Sequence, residues 1–138
     1  MTTQKLAGQT AIVSGGSRGI GRGIALALAA EGADIAFCHY RDGDRAQETA
    51  AAIAALGRKV HHAECDVSSV AAIRAFYADA KAALGEIDIL VNNAGHNITE
   101  AFEEISEESF DRMLGVHVKG TFFMAQTVYR DMKKRGAG

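Results

Sequence analysis

Apolar residues arrive along this chain in short blocks with two different rhythms. Thr10 to Val13 is a compact β-branched run bounded by turn formers, whereas Ile20 to Ala30 is rich in alanine and leucine with apolar positions at helical spacing. The same alternation repeats downstream. Asp34 to His39 predicts a second strand, Asp42 to Leu56 an alanine-rich helix closed by Gly57, and Lys59 to Ala63 a third strand. Ser68 or Ser69 can cap a helix reaching Leu84, Gly85 ends it, and Ile87 to Val91 is a nearly continuous apolar strand. A last, long helix is predicted from Ser106, where Ser106-Glu107-Glu108-Ser109 supplies a cap and acidic first-turn residues. It runs toward Lys133, Lys134 and Arg135, whose charges suit a helix C-terminus.

Between the first strand and first helix lies Ser14-Gly15-Gly16-Ser17-Arg18-Gly19-Ile20-Gly21. A turn that receives an anion must reverse sharply, let the ligand approach the backbone, and present unpaired helix N-terminal amides to it. Gly15 can supply the reversal, Gly19 the close approach and Gly21 the packing of helix on strand, each because a Cβ is missing. An ordinary glycine-rich loop is the plain alternative, and the flanking strand and helix argue against it. The phosphate-loop pattern fails because Arg22 and Gly23 stand where lysine and a hydroxyl are needed. G-x-G-x-x-G fails too, since Ile24 or Leu26 falls at the last glycine. The pattern present is G-x-x-x-G-x-G.

Strands that are apolar throughout, alternating with helices, imply parallel strands covered on both faces. The expected fold class is therefore α/β: a Rossmann-like, doubly wound parallel sheet, with residues 1–138 forming one domain that stops after the fourth strand and its following helix. Its 138 residues, 48% of them hydrophobic and 23% charged, fit one globular domain. A formal net charge of -2 gives no electrostatic support to nucleic-acid or anionic-membrane binding. Cys38 and Cys65 read as reduced, buried small hydrophobes, and no apolar run approaches the roughly 20 residues that span a bilayer. The expected location is cytoplasmic. His61 and His62, adjacent on a strand, should point to opposite faces, so no metal site is expected.

Taken together, Ser14-Gly15-x-x-x-Gly19-x-Gly21, Asp66-Val67, Asn92-Asn93-Ala94-Gly95 and Val118-Lys119-Gly120-Thr121-Phe122 resemble the short-chain dehydrogenase/reductase family over essentially the whole chain. The run is similar to its 3-oxoacyl-carrier-protein reductase branch. The resemblance implies hydride transfer between a nicotinamide dinucleotide and a carbonyl or secondary alcohol. It implies a pyrophosphate over Gly15 to Gly21, including Ser17, Arg18, Gly19 and Ile20; an adenine beside Asp66 and Val67; and a nicotinamide near Asn93, Ala94 and Gly95. Asp66 can accept from the adenine amine or serve as a turn residue before the next helix. Asn92 and Asn93 can equally be amides that close the strand.

Charge separates the two coenzymes. An NAD site places a carboxylate after the second strand, about 20 residues beyond the glycine loop. His39 holds that position, followed by Tyr40 and Arg41, while Arg18 projects from the loop, so a 2′-phosphate would meet two cations. NADP is therefore the expected cofactor in preference to NAD, unless Asp42 or Asp44 pairs with Arg41 and neutralises it.

The family's catalytic serine and Y-x-x-x-K pair are expected beyond Gly136-Ala137-Gly138, so the chain alone is expected to be inactive. Tyr77 to Lys81 and Tyr129 to Lys133 match the spacing, but both tyrosines lie along helices that run away from the ligand edge of a parallel sheet. His117 stands at a family asparagine position, where it could relay protons or simply pack in the core. An exposed last helix predicts a homo-oligomer. The alternative reading is a non-catalytic nucleotide-binding or interaction module that pairs through that helix.

Overall fold

A computed structural model describes residues 3–138; Met1 and Thr2, the start of the expected domain, lie outside the described residues. Strands β1 (Thr10–Ser14), β2 (Asp34–His39), β3 (Val60–Glu64) and β4 (Ile89–Val91) form one parallel sheet in the order β3-β2-β1-β4. Helices α1 (Gly19–Ala30), α2 (Gly43–Ala55) and α3 (Val70–Leu84) connect them, and α4 (Glu107–Leu114) and α5 (Thr121–Arg135) follow.

Because successive strand residues face opposite ways, each strand feeds two cores. On one face Ala11, Val13, Ile35 and Phe37 pack with Ala25 and Ala29 of α1 and Ala46 and Ile53 of α2. On the other, Ile12, Ala36 and Cys38 meet Ile73 and Phe76 of α3 and Met124 and Val128 of α5. Burial on both faces explains why β1 is buried at all its positions and carries no alternating polar residue. His61 stacks on Phe76 and His62 on Phe37, so the two rings do lie on opposite faces. The resulting fold is the Rossmann-like α/β arrangement expected from the strand and helix rhythm.

The last helix differs from the uninterrupted rod expected from Ser106 onward. Between α4 and α5 the turns widen into a π segment, Gly115–Gly120. Its two glycines lie against the turn after β3. A Cβ on Gly115 would stand 3.1 Å from Ser68 Cβ, and one on Gly120 would stand 2.8 Å from the Val67 carbonyl oxygen. The widened turn thus lets the helix press onto residues 67 and 68, a placement common near functional sites. At the far end Arg135 donates to the Ile87 carbonyl at 3.1 Å and pairs with Asp88, which itself accepts from the Thr10 amide at 2.9 Å. Among the described residues, no helix is long and apolar enough to cross a membrane.

Strand order locates the site. From β1 the chain steps outward to β2 and β3, then returns to place β4 on the opposite side of β1. The connections therefore diverge above the carboxyl ends of β1 and β4, where a crevice opens.

Candidate dinucleotide-binding site

A cavity of about 630 Å³ fills that crevice, lined by the glycine loop, the end of β2, Asp66 and Val67, residues 93–96, and Arg112 with Val116. Its floor is the turn from β1 into α1. Gly15 and Gly19 adopt left-handed backbone at φ of 69° and 56°, which disfavours residues bearing a Cβ. Gly19 has nothing within 4 Å of an added Cβ, so its face is open to a ligand, as the sequence suggested. Gly21 is closed: a Cβ there would lie 2.0 Å from the Gly15 carbonyl oxygen and 2.5 Å from Asn93 Nδ2. Gly16, which the sequence pattern gave no role, is also closed, because its Cβ would meet Phe37 Cβ at 2.5 Å. At the mouth of α1, Arg18 occupies the N-cap without a side-chain cap bond, and no acidic residue lies in the first turn. Among the described residues the first-turn amides thus have neither an intrahelical nor a side-chain acceptor, and the helix dipole favours an anion there.

Asn93 stitches the loop to β4. Its Nδ2 donates to the carbonyls of Ser14 at 3.0 Å and Gly15 at 3.1 Å, while Ser14 Oγ accepts from the Asn93 and Ala94 amides, each at 3.0 Å. Asn93 was expected at the nicotinamide side; its backbone lines that end, but its side chain is turned to the glycine loop with both amide hydrogens used. Asn92 donates to the Thr121 carbonyl at 3.4 Å, so of the two expected turn-closing amides one serves the loop and the other the helix. Ala94 and Gly95 remain against the cavity. His117 is exposed rather than packed in the core: its ring sits 3.0 Å from where a Gly95 Cβ would be, and Nε2 lies 3.0 Å from the His96 amide nitrogen and 2.6 Å from the His96 carbonyl oxygen.

At the end of β2, Tyr40 and Arg41 line the cavity as the sequence placed them. Arg41 is the non-glycine residue with positive φ, 51°, among the described residues, and its guanidinium lies 5.0 Å from the Tyr40 ring centre. Positive φ at a bulky residue is a feature that concentrates at ligand sites. The anticipated competition for Arg41 falls elsewhere. Asp42 turns back to the loop, accepting from Ser17 Oγ at 2.7 Å and lying 3.8 Å from Arg18 Nε, whereas Arg41 makes no ion pair among the described residues. Cys38 and Cys65 are free, buried thiols at this end. The hydrogen bond with Cys38, and then burial, push the Cys65 thiol upward and away from thiolate reactivity.

Asp66 follows β3 and is engaged on both oxygens. Oδ1 accepts from the Ser68 amide at 3.0 Å and Ser68 Oγ at 2.6 Å, and Oδ2 accepts from Arg112 Nη1 at 2.8 Å. Burial pushes its carboxyl upward, but the Ser68 hydroxyl, Arg112 and the Ser68 amide together outweigh this and hold it below the ordinary value. The turn reading of Asp66 therefore holds, and the same carboxylate also lines the cavity. Arg112 was not anticipated; nothing in the local pattern of α4 marks it.

The two Y-x-x-x-K matches lie away from the crevice. Tyr77 donates to Asp131 Oδ2 at 2.8 Å, as does Lys81 Nζ at 2.8 Å, forming a brace between α3 and α5. Burial and then the Asp131 carboxylate push the Tyr77 phenol upward, opposite to the shift a proton-transferring tyrosine requires. Tyr129 is 59% exposed and does not line the cavity.

Such a sheet, crevice and glycine turn define an α/β protein of the doubly wound class. The short chain dehydrogenase family matches residues 9–138, and the chain belongs to that family. It is 34% identical over 135 residues, 98% of its length, to a hydroxynaphthalene reductase-like protein of Metarhizium anisopliae. It is 36% identical over 138 residues, its full length, to the 2-dehydro-3-deoxy-D-gluconate 5-dehydrogenase of Dickeya dadantii. A short chain dehydrogenase from Burkholderia cenocepacia, solved in complex with NADP, superposes with a TM-score of 0.89 at 38% identity, over 91% of this chain and 51% of that one. The chain spans about half the length of the relatives it matches, 51% and 53% for the two curated proteins.

Proposed function

We propose that this chain holds the coenzyme of an NADP(H)-dependent oxidoreductase acting on a carbonyl or secondary alcohol. The observation that carries the reading is the cradle at α1: uncapped first-turn amides, an open face at Gly19, and a cavity running from there to both Asp66 and Gly95. These residues fit a dinucleotide end to end. The Gly15 to Gly21 turn, with Ser17 and Ile20 at its rim, holds the diphosphate; Tyr40, Asp66 and Val67 hold the adenine; Ala94 and Gly95 wall the nicotinamide. When bound, the coenzyme supplies or accepts a hydride. His117, with Nε2 at hydrogen-bond distance from both backbone groups of His96, holds the wall beside Gly95.

Preference for NADP over NAD rests on Arg41, which has no carboxylate partner among the described residues and stands beside the end of β2, with Arg18 as a second, partly neutralised cation. Arg41→Gln should lower affinity for NADPH by about tenfold while leaving NADH within about twofold, the scale of one charge-assisted hydrogen bond. Equal affinities for the two coenzymes in the parent protein would overturn the preference.

Pairing with a second copy is read from the last helix. Phe110, Leu114, Val118 and Phe122 recur every fourth residue along α4, the π segment and the start of α5, and they are 48%, 40%, 61% and 60% exposed. An apolar stripe of this kind favours burial against another surface. A homo-oligomer follows from this reading, and light scattering of Phe122→Glu against the parent protein tests the pairing. A loss of mass is expected; an unchanged monomer in both refutes it.

A further inference from the structure

Arg112 joins two walls of the cavity. Its Nη1 donates to Asp66 Oδ2 at 2.8 Å and to Ser68 Oγ at 3.0 Å, and Ser68 Oγ in turn donates to Asp66 Oδ1. The three side chains form a closed ring, and the guanidinium carbon lies 4.9 Å from the centre of the Tyr40 ring, within cation-π range. Asp66, Arg112 and Tyr40 all line the cavity.

A carboxylate offers about four acceptor positions. Oδ1 accepts from the Ser68 amide and hydroxyl, and Oδ2 accepts from Arg112, so one position, on Oδ2, remains for a ligand. Being an acceptor only, it welcomes an exocyclic amine and repels a carbonyl. Arg112 is itself paired, at 2.8 Å, and so is not a free cation for a phosphate.

Building on the dinucleotide reading above, we propose that Arg112 is a positioning residue for base specificity: it fixes Asp66 so that its one open acceptor selects adenine by the 6-amino group. A base with a 6-keto group in that place meets the carboxylate with its own oxygen.

The test compares NADPH with its hypoxanthine analogue, in which a keto group replaces the amine, by calorimetric or fluorescence titration of the whole chain. The parent protein should prefer the adenine form by about tenfold, the scale of a hydrogen bond to a charged acceptor. Arg112→Met should cut that preference to within about threefold, chiefly by weakening the adenine form, and Asp66→Asn should abolish it. Arg112→Lys, which restores a charge to Asp66, should recover part of it; this variant also serves if Arg112→Met does not fold. A merely structural Arg112 would weaken both ligands equally and leave their ratio unchanged, and that result overturns the proposal alone. Absence of binding by either ligand to folded parent protein overturns the dinucleotide reading as well.

Discussion

Removing the Asn93 carboxamide is the sharpest perturbation of the glycine turn that leaves every glycine in place. Both Nδ2 hydrogens are committed, at 3.0 Å to the Ser14 carbonyl and 3.1 Å to that of Gly15. Two such bonds contribute about 1 kcal/mol each, and leaving part-buried acceptors unmatched adds to the loss, so Asn93→Ala should cost about 2–4 kcal/mol. For a chain of this size that lowers the thermal midpoint by about 10 °C. Asn93→Asp is closer in shape yet should be worse at neutral pH, because a carboxylate would face two carbonyl oxygens with no proton between them. The assay is thermal unfolding of the three proteins side by side, followed by NADPH titration at a temperature where all are folded. In both variants the ligand must order the turn, weakening binding by about tenfold. An Asn93→Asp protein as stable as Asn93→Ala or better would refute the assigned bonding, as would either variant melting within about 2 °C of the parent.

Other consequences can be checked with similar means. Gly21→Ala should destabilise the chain strongly, because its Cβ would lie 2.0 Å from the Gly15 carbonyl oxygen, whereas Gly19→Ala, with open space but φ of 56°, should lose only about 1 kcal/mol of stability yet impair NADPH binding. Equal melting losses for the two would contradict the contact geometry. Asp42→Asn should raise NADPH affinity by about threefold with little effect on melting, because the Arg18 pair it breaks is 3.8 Å long and 68% exposed on the arginine side; unchanged affinity would show that Asp42 does not oppose a 2′-phosphate. Asp131 is held down from the ordinary 3.8 to about 2, first by Lys81 and then by Tyr77. Its stabilising effect is therefore complete above the ordinary value and fades as pH falls toward about 2. The stability gap between parent and Asp131→Asn should be flat from neutral to about pH 5 and then close; a gap widening in acid would reverse the assigned sign.

What the sequence revealed and what it hid have different physical origins. β1, α1 and the Gly15 to Gly21 turn were readable because local rules govern them: continuous apolar runs, helical spacing, and φ values that exclude a Cβ. The same holds for Ser69 and Ser106, whose side chains cap α3 and α4 as their positions suggested. Gly16 was hidden because what forbids its Cβ is Phe37, a residue of another strand. Arg112 was hidden for the same reason, since its partners Asp66, Ser68 and Tyr40 come from two other segments. Asp42 was recognised as a competitor but matched to the adjacent arginine, when the turn of the chain carries it back to Ser17 and Arg18. The π segment followed from contacts of Gly115 and Gly120 with residues 67 and 68, which no helical periodicity encodes.

Amide-resolved magnetic resonance during NADPH titration tests most directly whether the first-turn amides of α1 receive the diphosphate of a phosphorylated dinucleotide. Saturable shifts are expected at the Gly19, Ile20 and Gly21 amides, together with smaller changes near Asp66 and Gly95. Saturable binding that leaves those three amides unmoved, or no saturable change in a folded sample, would contradict that role.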